Sequence, residues 1–142
     1  MAERAGMLLA DASEADWAAV FAHAHLARYA PGEVIAEVGQ DEESLYVVVQ
    51  GEVDVLVPAK RTGRLAPVSQ LQAGDVFGEV SFFDGQPRSA EVRAASDVVL
   101  AGLDHAGFAG LSASHPQIAN RLLLDLGRIL SGRLRAAEQR TK

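Results

Sequence analysis

Cysteine is missing altogether from the 142 residues, so neither a disulfide nor a thiolate metal site is available to this chain. Long hydrophobic runs are missing too, and nothing approaches the roughly eighteen apolar residues of a membrane-crossing helix. The opening MAERAGMLLADASEADW has too short an apolar part, followed by acids, to act as a secretory leader. Positive charge is in short supply: 13 Lys and Arg stand against 19 Asp and Glu, a net charge of −6, whereas a nucleic-acid surface calls for a basic excess. The 4 histidines, His23, His25, His105 and His115, are all read on helices or their caps, away from the inward strand positions that a metal-binding barrel enzyme would use. His23 and His25 stand two apart, and on a helix such residues point in different directions. No Ser-His-Asp set or carboxylate pair stands out, so no catalytic residue and no metal ligand is assigned. What these gaps leave is a cytoplasmic, non-enzymatic domain that does not insert into membranes.

What is present is plentiful apolar sequence, cut into short pieces. Hydrophobic residues make up 49% of the chain, and a chain of this length buries about two thirds of its unfolded surface. Ser13, with Asp16 three residues on, predicts a capped helix over EADWAAVFAHAHL, with Trp17, Val20 and Phe21 on its packing face. From Leu26 to Leu103 the pattern turns to strands bounded by glycine turns, ARYA, EVIAEV, LYVVVQ, EVDVLVP, SAEVRA and VVLAGL, with VSQLQAGDVF leading through a Gly74-Asp75 turn. In EVDVLV the alternation sets Val53, Val55 and Val57 on one face and Glu52, Asp54 and Leu56 on the other, while LYVVV is apolar on both and belongs deeper. AKRTGR reads as an exposed hairpin tip. Asp104 caps a helical piece HAGFAGL, and Pro116 opens a last helix whose stripe is Ile118, Leu122, Leu126, Ile129 and Leu130, widened by Leu123, Leu124 and Leu134. Gly127 and Gly132 cost that helix about 1 kcal/mol each and predict a bend or an end. The result is a mainly β chain with flanking helices, an antiparallel jelly-roll-like β-roll: a helical segment over 1–25, the roll over 26–103 and C-terminal helices over 104–142, in one domain.

One stretch stands apart from this scaffold, FGEVSFFDGQPRSAEV over residues 77–92. A helical turn starting near Gly78 leaves its first N–H groups without helix acceptors, and such donors attract anions. Gly78 lets ligand atoms approach the backbone. Arg88 offers a planar fork that matches two phosphate oxygens, and Ser89 adds a hydroxyl. Glu79 would repel a phosphate unless a hydroxyl donor stood between them, and a ribose has that hydroxyl. An arginine in a strand or a glutamate in a turn is commonly a solvated surface group. The two at this spacing, with the glycine, point to a compact nucleotide.

The pattern F-G-E, a few apolar residues, then G-x-P-R-S-A and x-V resembles the phosphate-binding cassette of cyclic nucleotide-binding domains, the module of catabolite-activator-type regulators, kinase regulatory subunits and nucleotide-gated channels. The resemblance implies that Gly78, Glu79, Val80, Arg88, Ser89 and Ala90 meet the ligand, cyclic AMP or cyclic GMP. Glu79 and the Gly78 backbone would take the ribose 2′-hydroxyl, and Arg88 and Ser89 the cyclic phosphate. It implies a last helix closing over the base as a lid, with Arg133 as the base-facing residue and Arg128 or Ser131 as alternatives. Ser89 in place of Thr tilts the choice towards cyclic AMP. Glu91 departs from the pattern, where relatives often carry Thr or an aromatic, and the alternation turns it away from Arg88. Too little sequence follows the last helix for a winged helix-turn-helix, so DNA binding is not expected. A free-standing module, or one cut from a channel, transporter or enzyme, is expected instead, with self-pairing through the leucine-rich helix as a further option. The alternative function is a degenerate domain that keeps the fold as a protein-interaction module. The basic residues towards the end, Arg121, Arg128, Arg133, Arg135, Arg140 and Lys142, read as a solvated helix face.

Overall fold

The computed structural model describes residues 7–140, with the backbone alone at residue 140. Two four-stranded antiparallel sheets face each other. The first runs in the order β1 (His25–Tyr29), β8 (Val98–Leu103), β3 (Leu45–Gln50), β6 (Val76–Phe77), and the second β2 (Val34–Ala36), β7 (Glu91–Ala94), β4 (Glu52–Pro58), β5 (Leu65–Gln72). Helices α1 (Glu14–Ala22), α3 (His105–Ser114) and α4 (Pro116–Arg140) lie against the first sheet, and α2 (Glu79–Asp84) links the two sheets. This is the β-roll with flanking helices.

The first sheet is the middle layer, which explains why LYVVV carries no polar face. Leu45 and Val47 on β3 join Leu103, Val20, Leu111, Leu122, Leu126 and Ile129 in the core beneath the helices. Val48 points the other way and joins Leu100, Val98, Phe77, Val53 and Val92 between the sheets. A strand covered on both sides has no solvent face to mark with polar residues. In the second sheet Val53 is fully buried, while Val55 and Val57, on the same face, are half-buried because they border a cavity. Leu56, expected on the opposite face with Glu52 and Asp54, is buried as well. The β4–β5 register slips between Val55↔Ser69 and Leu56↔Pro67, leaving Val68 as the extra residue of a bulge on an edge strand that also carries the proline.

The helix signals hold apart from Phe21, expected on the packing face of α1 and instead 38% exposed, and with three further differences. Ser13 and Asp16 form a reciprocal capping box, Ser13 Oγ accepting from the Asp16 N–H at 3.1 Å and Asp16 Oδ2 from the Ser13 N–H at 3.2 Å. Asp104 Oδ1 accepts from the Gly107 N–H at 2.7 Å at the start of α3. The first difference is that α1 ends at Ala22, so His25 lies on β1 opposite Gly102, not on a helix. The second is that α4 runs without interruption through Gly127 and Gly132. The third concerns its faces. Ile118, Leu122, Leu126 and Ile129 are buried, but Leu123, Leu124 and Leu134 do not widen the stripe; they face solvent.

The basic residues of α4 lie largely in solvent, as expected, but three of them also make contacts. Arg121 pairs with Asp11 at 2.7 Å and Asp16 at 3.3 Å, Arg128 donates to the Met7 carbonyl at 3.0 Å, and Arg133 reaches the cassette. Arg135 is exposed, while the side chain of Arg140 and all of Lys142 lie outside the described residues. A segment that carried no sequence signal, Met7–Leu9, is also part of the core. Leu8 and Leu9 are buried, the Leu8 N–H donates to the Gly74 carbonyl at 2.9 Å, and the Leu9 N–H donates to Asp125 Oδ2 on α4 at 2.9 Å.

Candidate functional site

The cassette begins where β6 leaves the first sheet and ends where β7 enters the second, so it spans the open end between them. Gly78 makes the turn into α2 with φ 82°, and Gly85 ends the helix with φ 70°. The requirement for glycine at residue 78 is doubly set: a Cβ there would stand 2.5 Å from Arg88 Nη1 and 2.8 Å from the Ser44 carbonyl. No side chain caps α2, and the Gly78 carbonyl accepts first from the Phe82 N–H at 3.1 Å. The N–H groups of the first turn therefore have no acceptor within the helix.

Arg88 is anchored by its backbone, its N–H donating to the Gln40 carbonyl at 2.9 Å and its carbonyl accepting from the Gly39 N–H at 2.8 Å. From there the side chain runs inward and is only 5% exposed. Nη1 donates to the Gly78 carbonyl at 3.1 Å and Nη2 to the Ser44 carbonyl at 2.7 Å. Glu42 lies 3.8 Å from Nη2, and the guanidinium carbon sits 5.8 Å from the centre of the Tyr46 ring. Burial holds the Arg88 pKa below the ordinary arginine value, with the Glu42 charge pulling it back up; burial also pushes the Tyr46 hydroxyl upward. Arginine nevertheless stays cationic at any physiological pH. Its Nε is fully buried and has no hydrogen-bond partner among the described residues. A buried cation with an unspent donor is costly unless an acceptor arrives.

Glu79, the first residue of α2, is 4% exposed. Its Oε1 accepts from Arg133 Nη1, which comes from α4, and Arg133 Nη2 donates to the Val76 carbonyl at 2.8 Å. The last helix is thus fastened to the cassette by a charge pair. Glu91 pairs with Arg93 and makes no ion pair with Arg88.

Between the cassette, α4 and the inner face of the second sheet lies a cavity of about 890 Å³. Val55, Val57, Leu71 and Val92 give it an apolar wall, and the bulge brings Val68 to it. At the other end it meets Gly78, Glu79, Val80, Arg88, Ser89 and Ala90, with Arg133 and Arg128 contributed by α4. All six cassette residues picked from sequence therefore border one space. Of the three lid candidates, Arg133 lines it with its terminal nitrogens taken by Glu79 and Val76, and Arg128 lines it while donating to Met7. Ser131 is exposed and is not part of the lining. Sequence reading missed Ser44, Glu42 and Tyr46, which surround the Arg88 guanidinium. Ser44 acts through its carbonyl, a group every residue has, so no sequence signal marks it. Among the described residues no cluster of His, Cys, Asp or Glu has the arrangement of a metal site, and no helix is long and apolar enough to cross a membrane.

Apolar on one side, with a buried arginine, a hydroxyl and a buried carboxylate on the other, the space is suited to a ligand that joins a flat apolar part to an anionic, hydroxylated one. Comparison with known proteins agrees. The sequence profile of the cyclic nucleotide-binding domain matches residues 26–115. The chain is 34% identical over 109 residues to the cAMP-activated global transcriptional regulator CRP of Escherichia coli O6:H1, covering 76% of this chain and 51% of that protein. It is 40% identical over 88 residues to a cyclic nucleotide-gated potassium channel of Mesorhizobium japonicum, covering 62% of this chain and 22% of the channel. It therefore spans about half the length of the curated regulators it matches. Among solved structures, a cyclic nucleotide-binding domain from Methylobacillus flagellatus superposes with a TM-score of 0.80 at 26% identity, over 94% of this chain and 74% of that one. The Thermus thermophilus catabolite activator protein does so with a TM-score of 0.78 at 26% identity, over 91% and 58%. With the profile spanning more than half its residues and the cassette residues gathered at one cavity, the chain belongs to the cyclic nucleotide-binding domain family.

Proposed function

We propose that this chain is a cytoplasmic, non-enzymatic sensor that binds a cyclic mononucleotide, cyclic AMP in preference to cyclic GMP, and repositions α4 on binding. The observation that carries this reading is Arg88, 5% exposed at the edge of the cavity with an unspent Nε donor. A cyclic phosphate satisfies it. Ser89 supplies a hydroxyl, and the first turn of α2 supplies N–H groups beside it. Glu79 accepts from the ribose 2′-hydroxyl, and the apolar wall of Val55, Val57, Leu71 and Val92 packs the purine.

The same arrangement supports coupling to α4. The carboxylate that would receive the sugar is the one Arg133 holds, so ligand and helix address one group. Binding shifts the position of α4 only by as much as its affinity differs between the two positions, and about 1–3 kcal/mol is ordinary for regulation. The regulator and the channel among the relatives carry names that describe switching by a cyclic nucleotide, which favours the same reading here. Ser89 in place of Thr favours cyclic AMP. The effector is either sequence beyond the described residues or a partner of α4, whose Leu124 is 75% and Leu134 61% exposed.

Calorimetric titration with cyclic AMP and cyclic GMP tests the reading. Saturable binding of both, tighter for cyclic AMP, is expected. Arg88→Ala removes one side of a buried charge pair, which typically costs 2–5 kcal/mol, a loss of roughly one and a half to three and a half decades of affinity. Absence of saturable heat with either nucleotide would favour an interaction module that keeps the fold without the ligand.

A further inference from the structure

We infer that Arg133 is a positioning residue for the sugar contact: it holds the Glu79 carboxylate fixed for the ribose 2′-hydroxyl, and it does not read the base. The inference rests on the cyclic-nucleotide reading of the cavity and deepens it. Four observations lead to it. Glu79 is 4% exposed, and a buried carboxylate needs a cation and hydrogen bonds to offset its lost hydration. Arg133 Nη1 supplies both, and among the described residues Glu79 has no other side-chain hydrogen-bond partner. Arg133 Nη2 is bound to the Val76 carbonyl at 2.8 Å, on the strand that leads into the cassette. The guanidinium is thus fixed at two points, and both terminal nitrogens are committed away from a base edge. Finally, Arg133 takes Oε1 alone, so Oε2 stays available to accept from a hydroxyl while the pair with Arg133 is kept.

A residue that acted on the base would change the choice between purines; one that acts through Glu79 changes the choice between sugars. The two are separated by titrating the parent protein, Arg133→Ala and Arg133→Lys with cyclic AMP, cyclic GMP and 2′-deoxy cyclic AMP. A hydrogen bond to a charged acceptor makes the parent prefer cyclic AMP over its 2′-deoxy analogue by about ten- to a hundredfold. Arg133→Ala is expected to bring that preference to within about threefold, with the cyclic AMP to cyclic GMP ratio unmoved. Arg133→Lys, which keeps the charge and loses the two-point bracket, should fall between. Three results overturn the inference: a changed purine ratio with the sugar preference kept, an equal loss for all three ligands, or tighter binding in Arg133→Ala, which would make the pair a latch against the ligand.

The unliganded protein provides a test of the pairing that does not depend on nucleotide. Urea midpoints of Arg133→Ala, Glu79→Gln and the double variant should be strongly non-additive, because removing either partner already strands the other. Additive midpoints overturn the role of Arg133 whatever binds in the cavity. If the parent binds none of the three nucleotides, the sensor reading fails, and the non-additive cycle alone decides whether Arg133 governs Glu79.

Discussion

At Gly78 the backbone conformation and the ligand chemistry meet in one atom, the missing Cβ. A φ of 82° costs an L-residue about 1–2 kcal/mol, and a methyl group placed 2.8 Å from the Ser44 carbonyl has no flexible neighbour to push aside on that side. What does give way is Arg88 Nη1, 2.5 Å from the same position. Gly78→Ala should therefore lower stability by about 1–3 kcal/mol in urea unfolding and also weaken cyclic AMP binding, because the guanidinium is displaced. Gly85 gives the control. It too has a positive φ, 70°, but its added Cβ would come only to 3.4 Å from the exposed Glu43 carboxylate. Gly85→Asn, which tolerates this conformation, should leave affinity unchanged. Equal loss of affinity in both would detach Gly78 from the arginine. This pairing of glycine and arginine was readable from the chain because both are side-chain choices at fixed spacing. The acceptors that hold the arginine were not, since the Ser44 and Gly78 carbonyls carry no residue signature.

Helix α4 shows at the level of an element how tertiary packing overrides propensity. Gly127 and Gly132 cost about 1 kcal/mol each relative to alanine, yet the helix is continuous over 25 residues. Leu122, Leu126 and Ile129 are buried on one side of it, and Arg121, Arg128 and Arg133 tie it to three other parts of the chain. Burying one such apolar side chain stabilises by about 1.5–3 kcal/mol, which outweighs either glycine. At neither glycine does an added Cβ meet an atom within 4 Å. Gly127→Ala and Gly132→Ala should each raise stability by about 1 kcal/mol in urea unfolding. Only Gly132 borders the cavity, so only Gly132→Ala should also alter nucleotide affinity. A loss of stability in either would mean that the glycine serves a contact not present in this state. The strands were the clearest elements in sequence. LYVVVQ and EVDVLVP coincide with β3 and β4, which meet at the Gly51 turn, and VVLAGL coincides with β8. The faces of α4 were less clear, because Leu123 and Leu124 follow buried Leu122 with nothing in composition to show which of three adjacent leucines points inward.

Taken whole, the molecule is closed by contacts between its first and last segments. Asp125 of α4 accepts from the Leu9 N–H at 2.9 Å, Arg128 donates to the Met7 carbonyl at 3.0 Å, and Arg121 bridges Asp11 and Asp16. Leu9, buried and held at φ 49°, pays for this geometry in backbone strain that a non-glycine residue keeps only where its surroundings fix it. Because the tether leads from the N-terminal segment to α4, and from α4 through Arg133 to the cassette, the helical layer and the β-roll should unfold together. Trp17, the 1 tryptophan in the sequence, packs on the helical core and stacks on Phe21 with ring centres 5.6 Å apart, so its fluorescence reports the helical layer. Its urea transition should coincide with the far-ultraviolet signal of the whole chain. Asp125→Ala, which leaves the Leu9 N–H without its acceptor, should shift both transitions together by about 1–3 kcal/mol, whereas Asp125→Asn, keeping an amide oxygen in place, should shift them less. A Trp17 transition that moved ahead of the far-ultraviolet one in Asp125→Ala would show that the helical layer opens by itself, and would place the proposed movement of α4 in that layer's own equilibrium, with the roll left standing.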